Sequence, residues 1–207
     1  MQNTYFEFCQ FEVEPRRLLT APGEVRTKFV QRARATGGQL YGFWRNLGGL
    51  GLRRDEGIAV TAWRSQEAAR ASAPVANSQP HVLQATVRPT SDAVPTYPGI
   101  YVFRWFDIHA KNWETFRDLS NEAWPNMESV FDANICGFWR SLDIQEPDAK
   151  VLLLTRYADL SVWEASRWWR KPSSDAGAAM SRFDYRNDLT ESSIAFPVQP
   201  IFASGPG

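Results

Sequence analysis

Histidine and cysteine are scarce in this chain, with two of each among 207 residues. His81 and His109 show no His-x-x-His spacing and no carboxylate cluster at ligand distance, so little is present from which to build a metal centre. Cys9 and Cys136 each lie inside an apolar run that reads as strand, which predicts buried free thiols rather than a disulfide framework. Excess charge of either sign is also missing: Lys plus Arg and Asp plus Glu are 23 each. Without a basic field, neither a nucleic acid nor an anionic membrane surface is expected as the main partner. No apolar run approaches the ~20 residues of a membrane span. The segment Met1-Gln2-Asn3-Thr4 opens without a basic stretch followed by an apolar core, so no signal peptide is expected and a cytoplasmic location is. No Gly-x-Ser-x-Gly occurs, and no cysteine adjoins a histidine, which argues against a covalent-nucleophile enzyme.

Tryptophan, by contrast, is abundant: there are nine. Two of them anchor a repeat. Gly42-Phe43-Trp44-Arg45-Asn46-Leu47 returns 95 residues later as Gly137-Phe138-Trp139-Arg140-Ser141-Leu142. Tyr101, Phe103 and Phe106 stand at the same offset from Phe6, Phe8 and Phe11. The length suits two units of about 100 residues each. The predicted organisation is a first repeat over 1–89, a linker over 90–98 rich in proline and small polar residues, and a second repeat over 99–207.

Along the first repeat, alternation over Tyr5 to Val13 predicts a strand, and Val25, Phe29 and Ala33 share one helix face. Strands follow over Gln39 to Leu47 and Ile58 to Trp63, then a short helix capped by Ser65, then a strand over His81 to Arg88. Gly48-Gly49-Leu50-Gly51 fits neither phosphate-binding spacing and reads as a hairpin connection. The order β-α-β-β-α-β is the ferredoxin-like unit. The second repeat starts with a strand over Ile100 to Asp107 and a helix over Lys111 to Phe131, which Pro125 should kink or split. Strands over Asn134 to Leu142 and Lys150 to Tyr157 come next. Asp159 then caps a helix running through Trp163, Trp168 and Trp169. An insertion at about 171–190, helical around Ala178 to Arg182, precedes a last strand over Ile194 to Val198.

A strand, a helix interrupted by proline at Trp124-Pro125, then Gly137-Phe138-Trp139, a further strand and a short amphipathic helix resemble the NIPSNAP family of the dimeric α+β barrel superfamily. The first half carries the likeness through Gly42-Phe43-Trp44 and Val60-Thr61-Ala62-Trp63, without the proline. The resemblance implies an α+β fold in which two ferredoxin-like sheets pack together as an intramolecular barrel, with further homodimerisation left open. It also implies a ligand site inside the barrel or between a sheet and its helices. Members of the superfamily include cofactor-independent oxygenases, cyclases and isomerases, and haem proteins.

A barrel also meets a physical need, because each predicted sheet is apolar on both faces and its uncovered face needs a cover. Polar groups set among aromatics are the candidate site residues. His109, with Asp107 two residues before it, could serve as a general acid/base pair, or either could cap the following helix. Arg104, Trp105, Trp113, Trp124, Tyr157 and Trp63 are candidates for lining a cavity. Arg104 and Arg156 within strands would need buried partners such as Glu122 or Asp118, or a ligand carboxylate. Arg45 and Arg140, each after a motif tryptophan, read as stacked surface groups before anion clamps. His81, at a strand start, reads as surface. No cofactor is required by these residues, although either histidine could serve as an axial haem ligand. The ligand expected is a small, largely apolar or aromatic molecule. A non-catalytic binding or scaffold protein is the alternative.

Overall fold

In the computed structural model, residues 4–72, 75, 77–167, 170 and 177–202 are described. The first half runs β1 (Tyr5–Glu12), α1 (Arg17–Thr20), α2 (Pro22–Ala35), β2 (Gln39–Asn46), β3 (Glu56–Trp63), α3 (Gln66–Ala71) and β4 (Ser78–Arg88). The second runs β5 (Ile100–His109), α4 (Trp113–Val130), β6 (Ala133–Ser141), β7 (Asp148–Tyr157), α5 (Leu160–Ala165), α6 (Gly177–Asp188) and β8 (Thr190–Pro200). Ser65 and Asp159 cap α3 and α5 as expected, Ser65 Oγ accepting from the Ala68 amide and Asp159 Oδ1 from those of Ser161 and Val162. Trp168 and Trp169, expected to continue the helix after Asp159, lie outside the described residues. Pro125 does not split its helix. α4 is continuous, with Trp124 and Met127 on either side of the proline both buried. Tertiary packing of that apolar face supplies what the missing N–H and the ring would otherwise cost.

All eight strands close into one antiparallel barrel in the order β1-β3-β2-β8-β5-β7-β6-β4. Within each half the pairing is that of a ferredoxin-like sheet. The two seams between halves are equivalent, the second strand of each unit pairing with the last strand of the other: β2 with β8 and β6 with β4. Closure removes the open strand edges that two separate sheets would expose.

The repeated motif explains itself here. Both copies contain a β-bulge, between Leu40 and Gly42 and between Ile135 and Gly137. A bulge adds a residue to one strand and reverses its in-out alternation beyond that point. Leu40 and Phe43 therefore both face the helices, while Tyr41 and Trp44 face the barrel interior. Ile135 and Phe138, against Cys136 and Trp139, repeat the pattern. Each inward tryptophan folds back over its own motif glycine. A Cβ on Gly42 would lie 1.9 Å from the Trp44 ring, and one on Gly137 would lie 1.8 Å from that of Trp139.

The rings then cross between halves. Trp44 meets Tyr101 with centroids 5.7 Å apart and planes at 56°; Trp139 meets Phe6 at 5.4 Å and 53°. These are the same contact, related by the approximate twofold. Tyr41 Oη donates to the Cys136 carbonyl, its own counterpart in the other half, at 2.6 Å. With Phe8 and Phe103 in edge contact at 5.4 Å, the interior is filled by aromatic side chains. The glycines after β2 form a turn with positive φ at Gly48, Gly49 and Gly51, as expected of a hairpin connection.

Outside the barrel, each sheet is covered by helices over a separate core. Phe11, Phe29 and Phe43 pack under α2, and Phe106, Phe116, Trp124 and Phe138 pack under α4. α6 adds Met180 and Phe183 to the second core and has no counterpart in the first half. No described helix is long and apolar enough to cross a membrane.

Candidate ligand pocket

With the interior filled, cavities lie outside the barrel; a larger one of about 630 Å³ opens beside α2 in the first half, and the one that gathers residues singled out from sequence lies between the second sheet and its helices. There the outward faces of β5 and β7 carry Val102, Arg104, Leu153, Thr155 and Tyr157. α4 lays Trp124 and Met127 over them, α5 contributes Trp163, and α6 contributes Phe183 and Arg186, with Ser166 and Arg167 following α5. Together they enclose a cavity of about 60 Å³. At roughly 15 Å³ per water-sized sphere, this admits about four waters. That is room for a small molecule or for the head of a larger one.

Three guanidinium groups converge on this cavity. Arg186 is 9% exposed, lies over the rings of Phe106, Phe116 and Phe183, and donates to Ser120 Oγ at 3.2 Å. Burial, with Arg104 nearby, pushes its pKa down to about 9. Arg167 stacks on Trp163 at 4.0 Å, and burial together with Arg104 lowers it to about 10. Both stay charged at neutral pH. Arg104, 5.8 Å from the Phe106 ring, is also lowered by burial and has no acceptor or ion-pair partner among the described residues. The Trp124 indole N–H is buried without an acceptor as well. No carboxylate lines the cavity among the described residues; its remaining polar side chains are Thr155, Tyr157 and Ser166.

Of the residues singled out from sequence, Arg104, Trp124 and Tyr157 meet in this cavity. The others do not. Trp105 faces the barrel interior, Trp113 stacks on Phe138 beside the cavity's core, and Trp63 is buried in the first half with Nε1 donating to Thr36 Oγ1. His109 ends β5 on the surface and pairs with Glu191 at 2.9 Å, both about half exposed. Asp107 does not orient it, being engaged by Ser192 Oγ and by Lys150 Nζ at 3.4 Å. Nor does Asp107 or His109 cap the following helix: neither the turn after His109 nor α4 has a side-chain cap.

His81 departs from the surface placement expected. It is half-buried against Trp105 and Phe8, and burial lowers its pKa. The partners foreseen for buried arginines are committed elsewhere, Glu122 to Arg182 and Asp118 to Arg117. Arg156 lies apart, bound to Asp132 and, at 2.6 Å, to the Pro98 carbonyl. Arg45 donates to Gln199 and Arg140 lies over Trp113, which makes neither an anion clamp. Both thiols are free and buried, and burial pushes Cys9 up to about 11 and Cys136 to about 12.

Sequence reading missed Arg186 and Arg167. A signal for the first existed: Met180, Phe183 and Arg186 recur every three residues, which sets the arginine on the buried stripe of α6. A haem does not fit this cavity, which is far too small for a macrocycle and is lined by neither histidine. No group of three or more His, Cys, Asp or Glu that could hold a metal ion occurs among the described residues.

No family model matches the chain. No curated protein matches it either. Solved structures do. An anthrone oxidase-like protein superposes with a TM-score of 0.61 at 13% identity, covering 97% of this chain and 92% of its own. A chlorite dismutase of Candidatus Nitrospira defluvii gives 0.56 at 10%, covering 98% and 92%. A ferredoxin-fold protein of Listeria monocytogenes related to antibiotic biosynthesis monooxygenases gives 0.51 at 10%, covering 97% and 96%. At such identities the likeness is one of fold, and the fold is the dimeric α+β barrel made within a single chain.

Proposed function

We propose that this protein binds a small, largely apolar, ring-bearing molecule in the cavity between the second sheet and α4, α5 and α6. The observation that carries the reading is the contrast between the filled barrel and this cavity, walled by Trp124, Trp163, Phe183, Met127 and Leu153 with polar groups converging on it. Apolar walls with a few placed polar groups are the usual build of a small-molecule site. The volume is below the ~300 Å³ of a typical pocket, so the bound group sits in the cavity and the rest of its molecule extends toward the mouth. The family resemblance and the fold neighbours are in keeping with a cofactor-independent enzyme of oxygenase, isomerase or cyclase type. The geometry favours binding over acid/base catalysis by His109 and Asp107, since both stand on the rim, apart from the cavity.

The test is calorimetric titration of the full chain with three single-ring probes: phenol, benzamide and benzoate. Ser166→Phe, at the half-buried end of α5, fills the cavity from its edge. Binding of at least one probe that weakens tenfold or more in Ser166→Phe is expected. Equal binding by the two proteins, or no binding of any probe, overturns the reading.

A further inference from the structure

We infer that the cavity selects an organic anion, a ring-bearing molecule whose carboxylate is received by Arg104, Arg167 and Arg186 together with the Trp124 indole N–H. This rests on the pocket proposed above and specifies its ligand. The first half of the same chain provides the comparison. There a half-buried arginine is matched: Arg32 meets Glu7 through two hydrogen bonds of 2.7 and 2.9 Å, with Glu7 only 3% exposed. The fold can therefore supply a carboxylate to a guanidinium packed between sheet and helix. In the second half Arg104 and Arg186 bring two guanidiniums to the cavity, and neither has a carboxylate partner among the described residues.

Like charges brought together in a site of low polarity repel one another and lose their hydration, which is unfavourable unless an anion joins them. The polar groups also have a common sense. Guanidiniums and an indole N–H are donors only, so their complement is a group with several acceptor atoms and negative charge. A carboxylate meets both needs and matches the planar guanidinium fork. A cavity of about 60 Å³ suits such a head group, with a ring lying outward along Trp163 and Phe183.

The experiment titrates the full chain with benzoate, its neutral isostere benzamide, and inorganic phosphate. Benzoate is expected to bind at least tenfold tighter than benzamide and than phosphate. In Arg104→Met that preference should vanish, benzoate falling to the level of benzamide. Should Arg104→Met not fold, Arg167→Met at the half-buried edge carries the same comparison. Equal affinity for benzoate and benzamide overturns the anion assignment while the pocket stands. Phosphate binding as tightly as benzoate overturns the organic part of it. If neither ring probe binds, the pocket reading fails and this inference falls with it.

Discussion

Gly137 and Gly42 show how much one missing methyl group decides. Neither position needs a left-handed backbone; each needs the space that the ring two residues later occupies. Trp139 is fully buried among Phe6, Tyr41 and its neighbours, so its ring has nowhere to swing. Gly137→Ala is therefore expected to destabilise the protein by about 3 kcal/mol, the upper end for overpacking a well-packed site. Urea unfolding measures it. Trp139→Leu in the same molecule should recover part of the loss, because adjacent changes that share one space are not additive. A loss below about 0.5 kcal/mol in the single variant would show the ring to be free to move. The motif was visible as a repeat, and a glycine inside a strand is a known sign of a bulge. The reversal of facing was not legible, since strict alternation puts Tyr41 and Phe43 on one side and the bulge separates them.

Helices and sheets meet differently in the two halves. Under α2, the Glu7–Arg32 pair ties β1 to the helix inside an apolar setting. Removing one member leaves the other charged and buried, which typically costs about 3–5 kcal/mol. Glu7→Ala should show a loss of that order in urea, and Glu7→Ala with Arg32→Met should be markedly less destabilised than Glu7→Ala alone. Equal losses in the two would mean the pair contributes no coupling. α4 and α6, in contrast, cover β5 and β7 with arginines and aromatics around a cavity. Arg104 was legible as a charged residue needing a partner because strand alternation set it against Phe103. Arg186 escaped because its helix belongs to the insertion, where no first-half element offered a comparison. His109 drew attention through its neighbours in sequence, Asp107 and Trp105. In the fold, the end of a strand is also the rim of the barrel, and Glu191 from β8 became its partner.

At the scale of the whole molecule, two seams and one shared aromatic interior join the halves. The division into repeats at 1–89 and 99–207 with a linker at 90–98 stays a proposal, and it has a physical consequence. A fragment of 1–98 alone would expose the inward faces of Phe6, Phe8, Trp44 and Ile58 and leave the edges of β2 and β4 unpaired. It is expected to self-associate through those surfaces, reported by size-exclusion chromatography with light scattering. A monodisperse, folded monomer would contradict the mutual dependence of the halves. The full chain has satisfied those faces internally, so any homodimer it forms must use another surface.

Duplication, the order of strands and helices, the two capped helices and the need to cover a second apolar face were all determined by the sequence. Each depends on local periodicity or on a repeat that can be read along the chain. Which strands become partners across the halves, how the bulges turn each motif tryptophan inward, and which arginines share a cavity were decided only in three dimensions. These depend on contacts between residues as far apart as Arg104 and Arg186, whose proximity nothing local encodes. The charge of that cavity arises from the same source: strand and helices bring basic side chains together, and no carboxylate lines the cavity among the described residues.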